Sequence, residues 1–312
     1  MSSAIVYTAL GDPGVLRMVD IDTPAPGPGQ LGIRVEAAGV NPIDAKLRSG
    51  LRPSGPIAEP RRVGADGAGV VTAIGDGVEG FRPGDAVVFF GAAGAYASDV
   101  VLPADRVLPR PPGVDAATGA AIGIPVSTAY QALRSLAVGP GDTLLLHAGS
   151  GAVGQAAVQF AVLWGARVIA TASPARAARV AQLGAEPVAY GAGLSERVRE
   201  IAPDITVALD AAGTDEALQT SLDLVADRDR IATLVRGKDA AGLGIRAFSG
   251  GSPVPLSARA QSWRAEAIPV TLALLAAGRF DVELGPALPL AEAAEAHRRV
   301  EAGIAGKITL TP

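Results

Sequence analysis

Thr143-Leu144-Leu145-Leu146-His147 runs through Ala148 into Gly149-Ser150-Gly151-Ala152-Val153-Gly154. The first five residues form a short apolar run, as a strand buried on both faces requires. From Val153 to Trp164 the chain reads as a helix. Between the two, the glycines follow G-x-G-x-x-G, directly after a strand and directly opening a helix, which is the context a dinucleotide-binding loop demands. One glycine permits the tight turn, a second lets the backbone approach a pyrophosphate, and the third lets helix and strand pack closely. The helix N-terminus offers unpaired N–H groups and partial positive charge to phosphates. The alternative is an ordinary glycine-rich βα turn, and the chain holds 39 glycines. The flanking strand and helix favour the nucleotide loop, so Gly149, Ser150, Gly151, Ala152, Val153 and Gly154 are the expected cofactor contacts.

Downstream, Arg167 to Thr171 reads as a second buried strand, and Pro174 to Leu183 as a helix with proline at its start, where the missing N–H costs little. Ile205 to Leu209 and Arg230 to Val235 are further strands, with Thr214 to Val225 helical between them. Strands alternating with helices indicate an α/β, Rossmann-type doubly wound parallel sheet with right-handed crossovers. Leu243 to Ser249 reads as its edge strand. A site for a nicotinamide dinucleotide without a 2′-phosphate places Asp or Glu about 20 residues after the glycines, against the ribose 2′-OH. Here no acid lies between Gly154 and Glu186, and Ser173, Arg176 and Arg179 follow the second strand. A 2′-phosphate needs donors and positive charge, which a guanidinium supplies. The expected cofactor is therefore NADPH, with Ser173 and Arg176 as contacts. Arg179 reads as a solvated helix residue, and the alternative makes Arg176 one as well.

Upstream the character is different. Leu31 to Glu36, Gly67 to Ile74 and Ala86 to Phe90 are strand-like and separated by turn residues, and Pro24 to Gly29 is a connector. Regular turn signals with few helical periods point to a compact β-barrel or sandwich. Near the end, Ala258 to Ala277 reads as a helix that Pro269 must kink or break. Leu290 to Gly303 reads as another helix, and Lys307 to Leu310 as a terminal strand. The expected boundaries are 124–257 for the nucleotide domain, with 1–123 and 258–312 together forming a discontinuous second domain. The loops Leu51 to Pro60, Gly91 to Ala97 and Gly250 to Arg264 would shape its pocket.

The bulk numbers exclude several functions. Apolar residues make up 49% and the formal net charge is −4 with no basic run, so neither disorder nor a nucleic-acid or anionic-membrane partner is expected. The chain has no cysteine and only His147 and His297, which argues against a metal centre and rules out thiol chemistry. His147 reads as a satisfied core histidine. The N-terminal residues lack a signal-peptide pattern and no apolar stretch is long enough to span a bilayer, so a cytoplasmic protein is expected.

Several further motifs lie in order along the chain: Gly11-Asp12-Pro13-Gly14-Val15-Leu16, Gly39-Val40-Asn41-Pro42-Ile43-Asp44, Gly64-Ala65-Asp66-Gly67-Ala68-Gly69-Val70-Val71, Phe81-Arg82-Pro83-Gly84-Asp85-Ala86-Val87 and the closing Gly306-Lys307-Ile308. Together with the glycine loop they resemble the zinc-free quinone oxidoreductase (zeta-crystallin-like) branch of the medium-chain dehydrogenases. The resemblance implies a GroES-like β-rich domain for the discontinuous part. Zinc-containing members carry Gly-His-Glu where this chain has Gly64-Ala65-Asp66, so the resemblance also implies no metal. It places Asn41 near the nicotinamide and substrate, Val126, Ser127 and Thr128 against the nicotinamide, Arg176 beside the 2′-phosphate, and Tyr190 beside the same phosphate or the adenine. It also places the end of the fourth strand, Asp210-Ala211-Ala212-Gly213, at the border of the cofactor, with Ala211 and Gly213 as contacts. It implies a homodimer paired through the edge strand. Lys46 stands where some quinone reductases have tyrosine, and Arg236-Gly237-Lys238 is polar where many members have Gly-Gln or Gly-Asn.

Hydride transfer needs no nucleophile and no metal; the protein must orient the reactants and exclude water. A quinone accepts hydride readily, whereas an enone or enoyl thioester gains from a hydrogen bond to its carbonyl and a proton donor to carbon. Asn41 is the candidate for the hydrogen bond, and Asp44 or Lys46 for the proton. Structural alternatives are a turn role for Asn41 and a capping role for Asp44 over Ala45 to Arg48. Three functions are thus open: reduction of a quinone by NADPH, reduction of an enone or enoyl compound, and an NADPH-binding sensor or structural protein without turnover.

Overall fold

A computed structural model of the protein describes residues 2–248 and 254–312. The chain divides into two compact units, one comprising the residues up to Ile124 with Pro269–Pro312, the other Pro125–Ile268. In chain order the first part contains β1 (Ser2–Tyr7), β2 (Arg17–Ile21), β3 (Gln30–Gly39), α1 (Pro42–Ser49), β4 (Arg61–Arg62), β5 (Asp66–Ile74), β6 (Ala86–Phe89), β7 (Asp99–Pro103), β8 (Val107–Pro109) and α2 (Ala116–Ser135). The middle contains β9 (Thr143–His147), α3 (Ala152–Leu163), β10 (Arg167–Ala172), α4 (Ala177–Gln182), β11 (Glu186–Ala189), α5 (Leu194–Ile201), β12 (Val207–Asp210), α6 (Asp215–Leu224), β13 (Ile231–Thr233), α7 (Gly237–Leu243) and β14 (Arg246–Ala247). The chain ends with α8 (Ala258–Ala276), β15 (Leu284–Pro289), α9 (Ala293–Glu301) and β16 (Lys307–Thr311).

In the nucleotide unit, six strands lie in the order β11-β10-β9-β12-β13-β14, all neighbours parallel. Every residue of β9 is buried, which explains its unbroken apolar character. The order reverses at β9, between β10 and β12, and such a switch point is where open α/β sheets bind ligands, outside the strands' carboxyl ends. Helix α6 begins under Thr214, whose side chain accepts from Ala217 N–H, the N-cap expected of threonine.

In the other unit, β3 is the hub. It pairs antiparallel with β5, β7 and β16 in a seven-stranded sheet that continues to β15, β6 and β8. Register shifts at Gly32/Ile33 and Val35/Ala37 bend β3 so that it serves several partners. Ile5, Leu31, Ile33, Val71, Val87, Phe89 and Ile308 fill the core. A separate sheet, β2-β1-β4, completes the unit.

One expectation needs correction and a second is narrowed. The strand read from Leu243 is only Arg246–Ala247, because Leu243 closes α7 and Gly244 turns the chain in a left-handed conformation; Ser249 lies outside the described residues, as do Gly250 to Pro253 of the Gly250–Arg264 loop. Of the kink or break expected at Pro269, the break does not occur: α8 runs through it, the proline removing one donor from the helix ladder. Helix α2 was illegible because Gly119, Gly123 and Pro125 interrupt its pattern, and tertiary burial overrides their poor propensity.

Candidate active site

The glycine loop has a different steric reason at each position. A Cβ on Gly149 would lie 2.7 Å from Ala170 Cβ, and one on Gly154 would lie 2.1 Å from the carbonyl oxygen of Ala148. Gly151 has open space, with nothing closer than 3.6 Å to its hypothetical Cβ. Gly149 and Gly154 thus allow close packing of strand, loop and helix, and Gly151 leaves the surface clear for a ligand. Gly151 is the N-cap of the twelve-residue α3, so Ala152, Val153 and Gly154 present helix-start N–H groups there. Ser150 is tied down by its carbonyl, which accepts from Gln155 Nε2 at 2.9 Å. Ala148 adopts φ 62°, a left-handed conformation uncommon for alanine, and its N–H donates to Thr171 Oγ1 at 2.9 Å. A dinucleotide pyrophosphate fits this cradle.

Ser173 follows β10 and Tyr190 follows β11; the strands are parallel with Ala172 opposite Ala189, so both residues leave the sheet at the same end. Arg176 is half-buried in the turn after Ser173, and Tyr190 is 60% exposed. Arg179 Nε donates to Gln155 Oε1 at 2.9 Å, which gives it a structural task. Val126, Ser127 and Thr128 are buried in α2 just after Pro125. Asp210 is fully buried and closes the turn after β12: its Oδ1 accepts from Ala212 and Gly213 N–H, and its Oδ2 from Thr233 Oγ1. Ala211 lies inside that turn. Arg236 bridges Asp215 and Asp239 and donates to Gly213 O at 3.2 Å, so the polar Arg236-Gly237-Lys238 segment braces the same loop. His147 is buried with Nε2 3.0 Å from Ser221 Oγ, and burial holds its pKa at about 4 despite nearby Asp210. It is a neutral core residue.

The other unit contains a buried polar cluster. Helix α1 starts with Asn41 as N-cap and Pro42 in its first turn. Asp44 is therefore not the cap but the third helical residue, and its Oδ2 accepts from Asn41 N–H at 2.9 Å, half of a capping box. The same oxygen accepts from Tyr96 Oη at 3.0 Å. Asn41 is completely buried. Its Nδ2 donates to Gly39 O at 3.3 Å and to Asp66 Oδ2 at 3.0 Å, and its Oδ1 accepts from Lys307 Nζ. Asp66 Oδ2 also accepts from Ile124 N–H at 2.8 Å. Beyond Tyr96 stands His297, with Nε2 3.4 Å from the Tyr96 oxygen; its Nδ1 accepts from Arg48 Nε at 3.3 Å, and Arg48 pairs with Glu301.

Burial lifts the Asp44 carboxyl to about 7, with Asp66 adding to it and Asn41 N–H, Lys307 and Tyr96 opposing. Burial lowers the Lys307 ammonium to about 8, against Asp66 and Asp44. Burial and the neighbouring Arg48 charge hold His297 at about 4, so it is neutral, and with Nδ1 accepting from Arg48 its proton belongs on Nε2. A carboxyl that exchanges its proton near neutrality suits general acid chemistry. Asp44 also lines a cavity of about 250 Å³ whose walls include Tyr7, Ile43, Leu47 and Ile124, with Arg61 and Arg62.

The structure thus brings Asn41 and Asp44 together but leaves Lys46 exposed on α1. Both amide hydrogens of Asn41 are already donated within the cluster. Sequence reasoning did not assign Asp66, Tyr96, His297 or Lys307 to the site. The available signal was charge in apolar strands: Asp66 opens β5 and Lys307 opens β16, and an ionisable group is rarely fully buried unless partnered. Among the described residues, no group of three or more His, Asp or Glu is placed to hold a metal ion.

Residues 27–112 match the Alcohol dehydrogenase GroES-like domain family, and residues 152–245 match the family described as Zinc-binding dehydrogenase. A quinone oxidoreductase of Pseudomonas aeruginosa is 33% identical over 97% of this chain and 97% of its own length. A quinone oxidoreductase structure from Pseudomonas syringae superposes with a TM-score of 0.84 at 32% identity, covering 100% of both chains. The Escherichia coli quinone oxidoreductase complexed with NADPH gives a TM-score of 0.84 at 27% identity, covering 99% of this chain and 100% of that one.

Proposed function

The chain belongs to the quinone oxidoreductase branch of the medium-chain dehydrogenase/reductase family, and we propose on that premise that it uses NADPH to reduce a quinone or a similar electron-poor carbonyl compound. The observation that carries the reading is Asp44: a buried carboxyl, poised near neutrality, on the wall of a largely apolar cavity. A nicotinamide held by these residues would supply the hydride. The chain's own residues hold the acceptor, keep water away and supply a proton. Apolar walls suit a flat carbonyl compound, and Asp44 provides the proton that its reduced form takes up. Two acceptor bonds converge on Asp44 Oδ2, from Asn41 N–H and Tyr96 Oη, which leaves Oδ1 for the transferable proton. Asn41 acts as a positioning residue, its amide held by Lys307, Asp66 and Gly39.

On the cofactor side, Gly149 to Gly154 receive the pyrophosphate, and Ser173, Arg176 and Tyr190 the 2′-phosphate. No acid stands at the end of β10 to prefer a ribose 2′-OH, and the NADPH complex of the Escherichia coli relative supports the same choice. Val126, Ser127, Thr128, Ala211 and Gly213 complete the expected cofactor contacts. Lys46, exposed on α1, receives no role.

A second reading, reduction of an enone or enoyl compound, is favoured by the same carboxyl, because protonating carbon demands a donor more strictly than protonating a quinone oxygen. We further propose a cytoplasmic homodimer paired through β14, the edge of the parallel sheet; sedimentation equilibrium should give twice the chain mass. The deciding experiment follows oxidation of NADPH and NADH with a small benzoquinone and a small enone in parallel. Quinone turnover with strong NADPH preference is expected. Enone-only turnover selects the second reading, and NADPH binding without turnover of either overturns both in favour of another acceptor or a sensor.

A further inference from the structure

The cavity beside Asp44 is apolar on most of its wall, and two arginines line it, Arg61 and Arg62. They differ in their commitments. Arg61 is engaged locally: it donates to Ser54 Oγ at 2.6 Å, Gly55 O at 2.8 Å and Pro56 O at 3.2 Å, and its guanidinium carbon lies 5.9 Å from the centre of the Tyr7 ring. Those bonds tether the loop before β4. Among the described residues, the Arg62 side chain makes one hydrogen bond, from Nη2 to Gly94 O at 3.1 Å. Its Nε is buried without an acceptor among the described residues. Burial holds its pKa below the usual arginine value, and among the described residues no carboxylate opposes that effect.

A partly desolvated cation without a countercharge is costly to maintain. The fold nevertheless makes room for it. A Cβ on Gly94 would lie 2.6 Å from Arg62 Nε and 2.8 Å from Arg62 Cβ, so only glycine lets the arginine stem lie across this backbone. The Gly94 carbonyl then orients the guanidinium while leaving most of its donor fork unused. A planar fork of this kind matches a carboxylate or a phosphate in two-point contact.

We propose that Arg62 selects an acceptor bearing an oxyanion, a carboxylate or a phosphate, whose apolar body fills the cavity and whose charged group pairs with the guanidinium. This rests on reading the cavity as the acceptor site. At about 250 Å³ it is smaller than the pockets that enclose drug-sized ligands, so the acceptor is compact, a single ring or a short chain.

The test compares a benzoquinone carrying a propanoate side chain with its methyl ester and with the corresponding phosphonate. The full chain and its Arg62→Gln and Arg62→Lys variants are assayed with NADPH. For the unaltered chain, kcat/KM for the acid should exceed that for the ester by about tenfold or more, the scale of a hydrogen bond to a charged group. The ratio should collapse in Arg62→Gln and persist in part in Arg62→Lys, which also preserves the charge if the glutamine variant folds poorly. Phosphonate above carboxylate would identify a phosphate-bearing acceptor, and the reverse a carboxylate; either supports the anion site. Equal kcat/KM for acid and ester in the unaltered chain overturns it, as does an acid preference that survives Arg62→Gln. If no compound is reduced, calorimetric titration of acid and ester onto the NADPH-loaded protein separates the two ideas. Tighter, Arg62-dependent binding of the acid keeps the anion site while hydride transfer fails, and equal binding rejects the anion site.

Discussion

Replacing Asp44 by asparagine removes one ionisable group from the buried cluster and nearly preserves its volume. The residue is 5% exposed, and burial raises its pKa from 3.8 to about 7. A carboxyl whose pKa rises on folding holds its proton better in the native state. Its contribution to stability is complete below about pH 4 and disappears as pH rises through 7. At about 1.4 kcal/mol per pH unit, that displacement amounts to about 4 kcal/mol across the interval. Other buried groups titrate with the opposite sign. His147 and His297, both lowered to about 4 by burial, add stability as pH rises from 4 to 6.5. Lys307, lowered to about 8, adds stability as pH rises from 8 to 10.5. The parent's profile is therefore a composite, and subtracting it from the Asp44→Asn profile leaves the titration of Asp44 together with its coupling to Lys307. Urea unfolding followed by circular dichroism from pH 4 to 8 should show the variant gaining on the parent by up to about 4 kcal/mol. A difference that does not change with pH would refute the titration of Asp44 in the fold. In turnover assays the variant should lose about 10²-fold or more with an enone at pH 7, the scale of a positioned general acid.

Other expectations follow from the same geometry. Gly154→Ala places a Cβ against Ala148 O and Gly149 Cα, both backbone atoms; it should cost about 1–3 kcal/mol in thermal unfolding and weaken NADPH binding. Arg176→Gln should lower NADPH affinity about tenfold or more relative to NADH, measured by fluorescence titration. Lys307→Met leaves Asn41 Oδ1 without its donor and removes the cation that opposes the rise of the Asp44 pKa. It should destabilise the protein by about 3–5 kcal/mol and move the enone-turnover profile to higher pH, a shift that a purely structural role would not produce.

The nucleotide half was readable because its signals are local. TLLLH, the glycine spacing and the opening of α3 all fall between residues 143 and 163, and a strand buried on both faces needs apolar residues throughout. Helix α2 escaped because its glycines and Pro125 carry the opposite local message, and packing overrode it. The expected strand at Leu243 shrank to Arg246–Ala247 because α7 claimed its first residue.

The candidate site divides along the same line. Residue chemistry alone marked Gly149 to Gly154 as a phosphate cradle and excluded thiols, because short-range sterics and composition suffice for those conclusions. Asn41 and Asp44 were marked by resemblance and by position, but their roles depended on partners far along the chain. Lys307 reaches Asn41 across 266 residues, and His297 meets Tyr96 across 201. A pKa near 7 for Asp44, an engaged Arg61 and an uncompensated Arg62 are properties of burial and neighbours. No residue carries them in isolation, so only the folded chain decided that Asp44 is a buried carboxyl raised toward neutrality and that Lys46 is left in solvent.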